Sequence, residues 1–226
     1  MELSERIHDE GLAVGYSRIG ALEFSDIENE SIEKIKQDHP WAKSMIIAAF
    51  HYNFYKIPAQ LEGKVSKRDL FRGRYFEQSH ENNTATEFET FLSNEAIQHV
   101  DMTSLSSPIK NRIAAEMGIG ITRRNGYFYT EDGSYCHLHA WLVDAELTCD
   151  FDEPPTECPE HCSICARNCP EKALTRVSKD TDKCIAFQTD IVVENFTAGC
   201  DHCQDLCPFN KHRWEYEEEY IGLNYE

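Results

Sequence analysis

The sequence predicts an α/β protein of the α+β kind, with a mixed-sheet domain over residues 1–149 and a cysteine-rich domain over residues 150–226. Two observations carry that reading. Apolar residues in the first part alternate between helical and strand spacing, and past residue 150 this periodicity fades. Eight of the ten cysteines fall between Cys158 and Cys207. A chain of 226 residues accommodates one large or two small domains. Its 41% hydrophobic and 27% charged composition excludes disorder, collagen-like repeats and a membrane-embedded body.

The elements follow in order. Leu3 to Glu10 reads as a short helix stopped by Gly11, and Leu12 to Ile19 as a strand. A helix ending before Pro40 leads into SMIIAAF (44–50), a buried strand. Phe88, Phe91, Leu92, Ala96 and Val100 have helical spacing. Ser107-Pro108 opens a further helix, with serine as N-cap and proline at the first helical position. Its stripe is Ile109, Ile113 and Met117, and Gly118 is its stop. Tyr127–Thr130 and Ser134–Val143 flank Glu131-Asp132-Gly133, a hairpin signal. On the second strand Cys136, Leu138, Ala140 and Leu142 share one face, and Tyr135, His137, His139 and Trp141 the other. FDEPPTECPEHC is an acidic, proline-containing linker, and Trp214 to Glu226 an acidic aromatic tail.

The charge is −18, from 22 basic and 40 acidic residues. A field of that sign repels phosphate backbones and anionic membranes, so the expectation is against tRNA and against a membrane partner. The exception is local: Lys64, Lys67, Arg68, Arg72 and Arg74 face Asp69 alone. The longest apolar run, Met45 to Phe50, is far shorter than the ~20 residues of a spanning helix. A polar, acidic N-terminus lacks the pattern of a signal peptide, which leaves the cytoplasm as the expected compartment.

In a reducing compartment a dense cysteine cluster points to metal rather than to disulfides. Here a Cys-x2-Cys-x3-Cys-Pro ending occurs twice: Cys158-x3-Cys162-x2-Cys165-x3-Cys169-Pro170, and Cys184 followed by Cys200-x2-Cys203-x3-Cys207-Pro208. In two-cluster ferredoxins the closely spaced cysteines wrap one cubane and the cysteine before proline reaches the other. Applied here, one 4Fe–4S cluster takes Cys158, Cys162, Cys165 and Cys207. The other takes Cys184, Cys200, Cys203 and Cys169. Zinc is the alternative for paired Cys-x2-Cys, but triplets ending in Cys-Pro and a full use of all eight cysteines favour iron–sulfur. Cys136 and Cys149 stand outside both copies as small hydrophobes. His137 and His139 are rim or core histidines unless a third ligand joins them.

The segment 158–210 resembles the double-cluster domain of the epoxyqueuosine reductase family, cobalamin-dependent enzymes of tRNA-base maturation, and is similar to that of the corrinoid reductive dehalogenases. DTDKCIAFQTD (180–190) and GCDHCQDLCPFN (199–210) carry the likeness. MGIGITRRNGYFYTEDGSYCHLHAWLVDAEL (117–147) resembles the family's corrin-contacting segment through Gly118, Gly120, Arg124, Asn125, Gly133, Ser134 and Asp144. FRGRYFE (71–77) matches through Arg72, Gly73 and Arg74, and HPWAKSMIIAAFHY (39–52) looks like the buried strand. The resemblance implies a mixed-sheet cobalamin-binding-type domain followed by a two-cluster ferredoxin-like domain. It also implies cobalamin contacts at Gly118, Gly120, Arg124, Asn125, Gly133, Ser134, Arg72 and Arg74.

Three features depart from the family pattern. Its catalytic aspartate precedes the proline that opens the helix, whereas here Ser104 to Ser107 precede Pro108 and the nearest acid is Asp101. The chain ends 19 residues after Cys207, so the expectation is a short form without the helical-repeat domain. The negative charge is the third.

The leading expectation is therefore an iron–sulfur oxidoreductase passing electrons from a donor such as ferredoxin or flavodoxin, through two clusters, to cobalamin that reduces a small substrate. Asp101 is the candidate acid. The alternative is an electron-transfer protein that docks to and reduces a partner without cobalamin. Flavin is a third choice of cofactor, although no glycine-rich phosphate loop follows a strand.

Overall fold

The structure, a computed structural model, describes residues 2–27, 30–51, 54–55, 67–147, 156–175, 178–185, 202–210 and 214–215. In chain order the elements are α1 (Leu3–Ala13), β1 (Arg18–Glu23), α2 (Glu30–Asp38), β2 (Ser44–His51), β3 (Phe54–Tyr55), α3 (Lys67–Asn94) and β4 (His99–Asp101). They continue as α4 (Ser107–Glu116), β5 (Ile121–Thr122), β6 (Phe128–Tyr129), β7 (Cys136–Val143), α5 (Ile164–Asn168), α6 (His202–Asp205) and β8 (Trp214–Glu215). The chain is a mixed α and β fold, as expected.

Its centre is a four-stranded sheet in the order β1-β2-β7-β4, antiparallel at every pairing. All eight residues of β2 are buried, because helices cover both faces of the sheet. Met45, Ile47 and Ala49 of β2 and Leu138, Ala140 and Leu142 of β7 pack with Ile32 of α2 and Ile113 and Ala114 of α4. Ile46, Ala48 and Phe50 with Trp141 and Val143 pack on Ile7 of α1 and Phe88 and Leu92 of α3. The alternation read along β7 thus separates the two cores. Each fully buried large side chain, Trp141 and Phe88 among them, contributes on the order of 1.5–3 kcal/mol.

Four local expectations are corrected. Gly11 does not end the first helix. It lies inside α1, where a Cβ would stand 2.7 Å from Ile19 Cδ1, so its missing side chain lets the helix lie close on β1. The chain turns at Gly15, with φ +117°, and the strand starts at Arg18 rather than at Leu12. At α4 the N-cap is Ser106, one residue earlier than expected; Pro108 still sits in the first turn, where no N–H is needed. Gly118, with φ +76°, follows the last turn.

The third correction concerns residues 86–100. The helix ends at Asn94, Ala96 takes a left-handed φ of 58°, and Val100 lies in β4. The fourth concerns the hairpin. Thr130 and Gly133 exchange backbone hydrogen bonds of 3.0 and 3.2 Å across the predicted turn. The flanking strands do not pair with each other. β6 pairs with β5, whereas β7 runs between β2 and β4, where Leu138, Ala140 and Leu142 on one face and Trp141 and Val143 on the other are covered. Among the described residues, no helix is long and apolar enough to cross a membrane.

Candidate functional site

The cysteine segment is built from short pieces. Cys162 precedes α5, Cys165 lies within it, and Cys169 terminates it. α6 carries Cys203, and Cys207 N–H bonds the Gln204 carbonyl at 3.0 Å in the turn that follows. α5 packs against α6, and that contact brings the two cysteine runs together. Cys158, Cys162, Cys165 and Cys207 line one cavity, walled on the apolar side by Ile164, Pro208 and Phe209. Burial, and then the neighbouring Cys158, Cys162 and Cys207 sulfurs, push the Cys165 thiol up. Cys169, Cys184 and Cys203 gather with Ala173 and Leu174 in a small core, against which Cys165 also packs. Cys200 lies outside the described residues, as do Cys149 and Lys64.

Arg123 is a residue that sequence reading passed over. It is only 6% exposed, and its guanidinium stacks over the Phe209 ring at 4.0 Å. Nη1 points at Cys158 Sγ at 3.9 Å, and Nη2 bonds the Thr156 carbonyl. Among the described residues, Nε is buried without a hydrogen-bond partner. Four convergent cysteines, an apolar wall and a buried cation aimed at sulfur fit a negatively charged iron–sulfur cluster. The available sign was the Arg123-Arg124 pair beside a turn, but spacing alone could not aim it.

Arg124, Asn125 and Ser134 are placed at the same junction. Arg124 donates to the Cys162 carbonyl. The Asn125 amide donates to the Tyr129 hydroxyl at 2.7 Å and to the Cys203 carbonyl at 3.2 Å. Ser134 N–H donates to Asn210 Oδ1 at 2.8 Å, while Gln204 Nε2 donates to the Ser134 carbonyl and hydroxyl. Each of the three thus makes at least one contact to the cysteine segments.

The glycines are committed as well. Gly120 is buried, and a Cβ there would come within 2.3 Å of the Tyr129 carbonyl and 2.7 Å of the Phe128 ring. That close approach belongs to the β5–β6 pair. Gly133, with φ +105°, makes the turn before β7. Gly120, Asn125, Gly133 and Ser134 are therefore buried by the chain itself. Arg72 and Arg74 lie on α3, apart in sequence from this junction. Asp101 ends β4, where it is exposed and its carboxylate accepts from Thr103 N–H at 2.7 Å. It lies near Lys110 of α4, not among the residues that line the cysteine cavity.

No family model matches the chain. An epoxyqueuosine reductase of Staphylococcus aureus is 26% identical over 229 residues, spanning 92% of this chain and 56% of the relative. That of Bacillus subtilis is 26% identical over 88% of this chain and 54% of its own length. One from Synechococcus sp. (strain RCC307) is 33% identical over 118 residues, 47% of this chain and 36% of the relative. A solved epoxyqueuosine reductase bound to an epoxyqueuosine-modified tRNA-Tyr stem loop superposes with a TM-score of 0.68 at 22% identity, over 95% of this chain and 67% of that one. Over most of its length this chain is similar to epoxyqueuosine reductases. A catabolic reductive dehalogenase shares the fold more distantly, at TM-score 0.59 and 15% identity over 93% of this chain and 32% of that one. The chain spans about half the length, or less, of the curated relatives it matches.

The expectation against tRNA is overturned by the tRNA stem loop held by the solved epoxyqueuosine reductase. The physical reason is screening. A net charge of −18 is a sum over the whole surface, whereas a phosphate senses charges within a Debye length of roughly 8 Å. An acidic protein can carry a local patch that binds RNA.

Proposed function

We propose that this epoxyqueuosine reductase-like chain is an iron–sulfur reductase acting on a modified base of tRNA in the cytoplasm, with 4Fe–4S clusters held in a domain that begins near residue 150. The observation that carries the proposal is the convergence of Cys207 with Cys158, Cys162 and Cys165 around one cavity, despite the distance in sequence. The second cluster takes Cys169, Cys184, Cys200 and Cys203, of which three pack around Ala173 and Leu174. The clusters supply one-electron transfer at low potential. The chain's own work is to hold them in register: Asn125, Ser134 and Arg124 tie the cysteine loops to the sheet domain. Phe209 and Ile164 limit water at the first cluster.

Cobalamin is the further cofactor that the family likeness implies. Of the residues expected to contact it, Gly120, Asn125, Gly133 and Ser134 are buried in the chain's own packing, and no step is derived through it. Arg72 and Arg74 are proposed as anion contacts, for cofactor or RNA phosphate, on the basic start of α3. Asp101 is proposed as an acid on the resemblance alone.

The test is anaerobic reconstitution, iron and sulfide analysis, cobalamin titration, and reduction of epoxyqueuosine in tRNA followed by mass spectrometry. About eight iron per chain is expected, together with conversion of the base. Stoichiometric zinc in place of iron would end the cluster reading. Clusters without cobalamin binding and without base conversion would move it to electron transfer to a partner.

A further inference from the structure

Outside the lining of the cysteine cavity, α3 and β7 bring together Glu81, His137 and His139. The donor atoms of these three lie within 4.8 Å of one another. His137 and His139 are alternate residues of one strand, so their side chains leave the same face. Glu81 projects from α3 toward both: its Oε1 meets His139 Nε2 at 2.6 Å and His137 Nδ1 still more closely. The carboxylate and His139 are buried, each at 6% side-chain exposure, whereas His137 is 46% exposed. From the sequence alone the histidine pair lacked a third ligand, and the helix that supplies it begins far upstream.

We infer that Glu81, His137 and His139 form a mononuclear site for a first-row divalent cation such as zinc. Two imidazoles and one carboxylate are the borderline donors such ions select. Three protein ligands leave a coordination position, and the exposed side of His137 opens that position to solvent. The fourth observation is the support behind His139. Its Nδ1 lies 2.8 Å from the Tyr16 hydroxyl, and Tyr16 is fixed edge-on against Phe50, Phe88 and Trp141. With Nε2 facing the metal, Nδ1 carries the proton and donates to the Tyr16 oxygen, which sets tautomer and ring orientation as outer-shell partners of metal histidines do. This site goes beyond the proposed reductase function and shares no residue with it.

The experiment uses the full, cluster-loaded chain washed with chelator and given one equivalent of zinc chloride. Zinc K-edge X-ray absorption then reads the ligands of zinc without interference from iron. The expected result is one zinc retained per chain, with a shell of nitrogen and oxygen alone at about 2.0–2.1 Å. His137→Ala, at an exposed position, is expected to weaken retention roughly tenfold or more while iron content stays unchanged. A sulfur shell at about 2.3 Å, no retained zinc, or undiminished retention in the variant would each overturn the site. In the last two cases the three side chains would be a closed hydrogen-bonded triad.

Discussion

Asn125 and Cys203 stand 78 residues apart in the chain, yet the Asn125 amide donates to the Cys203 carbonyl at 3.2 Å. The same amide holds the Tyr129 hydroxyl, and Asn125 is 2% exposed. One buried side chain therefore spans the β5–β6 turn and a cysteine segment, which makes the placement of Cys203 depend on that turn.

Asn125→Ala orphans both partners at once. A buried polar group left unsatisfied costs about 1–3 kcal/mol, so the denaturation midpoint should fall by an amount in that range. Iron release under mild denaturant should also quicken. Faster release without a lower midpoint would confine the effect to the loop, and no change in either would show that the bond carries no weight.

Cys207→Ser should remove the cluster of Cys158, Cys162 and Cys165, leaving about four iron per chain in place of about eight. Electron paramagnetic resonance of the reduced variant should then show one cluster without the broadening of a coupled pair. Loss of the cluster held by Cys203 instead would reverse the crossed assignment.

Arg123→Gln should make the first cluster harder to reduce. Its guanidinium faces Cys158 Sγ at 3.9 Å from a buried position, where a cation stabilises the added electron. Removing roughly 1 kcal/mol of such stabilisation lowers a one-electron potential by about 40 mV. Potentiometric titration reads the shift directly, and a rise in potential would contradict the assigned electrostatics.

Two glycine substitutions should behave differently. In Gly120→Ala the new methyl meets the Tyr129 backbone carbonyl at 2.3 Å, which cannot step aside, so a loss of about 1–3 kcal/mol or more is expected. In Gly11→Ala the nearest atom is the end of the Ile19 side chain at 2.7 Å. There a helix-propensity gain of about 1 kcal/mol offsets much of the repacking. Thermal unfolding of the pair should rank Gly120→Ala as clearly the less stable.

Lys110 supplies a test with pH. Its ammonium is buried and donates to the Thr103 carbonyl at 2.6 Å and the Leu138 carbonyl at 2.9 Å. Burial lowers its pKa, and Asp101 and Glu81 offset this only in part. The folded chain therefore holds this proton less tightly than the unfolded chain, where the lysine titrates near 10.4. Stability from this group rises with pH between the lowered value and the unfolded one. The stability of the parent relative to Lys110→Met should thus climb through that alkaline window, and a falling difference would give the opposite sign.

The cysteine spacing, the buried run of β2 and the two-faced alternation of β7 were legible in the sequence because each is set by neighbours a few residues away. Helix ends were less so. Gly11 looks like a stop until Ile19 is seen to press against it, and the Glu131–Gly133 turn looks like a hairpin until β7 is claimed by β2 and β4. What the sequence determined was the cysteine spacing, the secondary-structure periodicity and the likeness to epoxyqueuosine reductases. Tertiary structure alone decided that Arg123 faces Cys158, that Asn125 and Ser134 clasp the cysteine loops, and that Glu81 joins His137 and His139. The physical reason is that such contacts depend on direction and burial across distant segments, and these are properties of packing rather than of spacing along the chain.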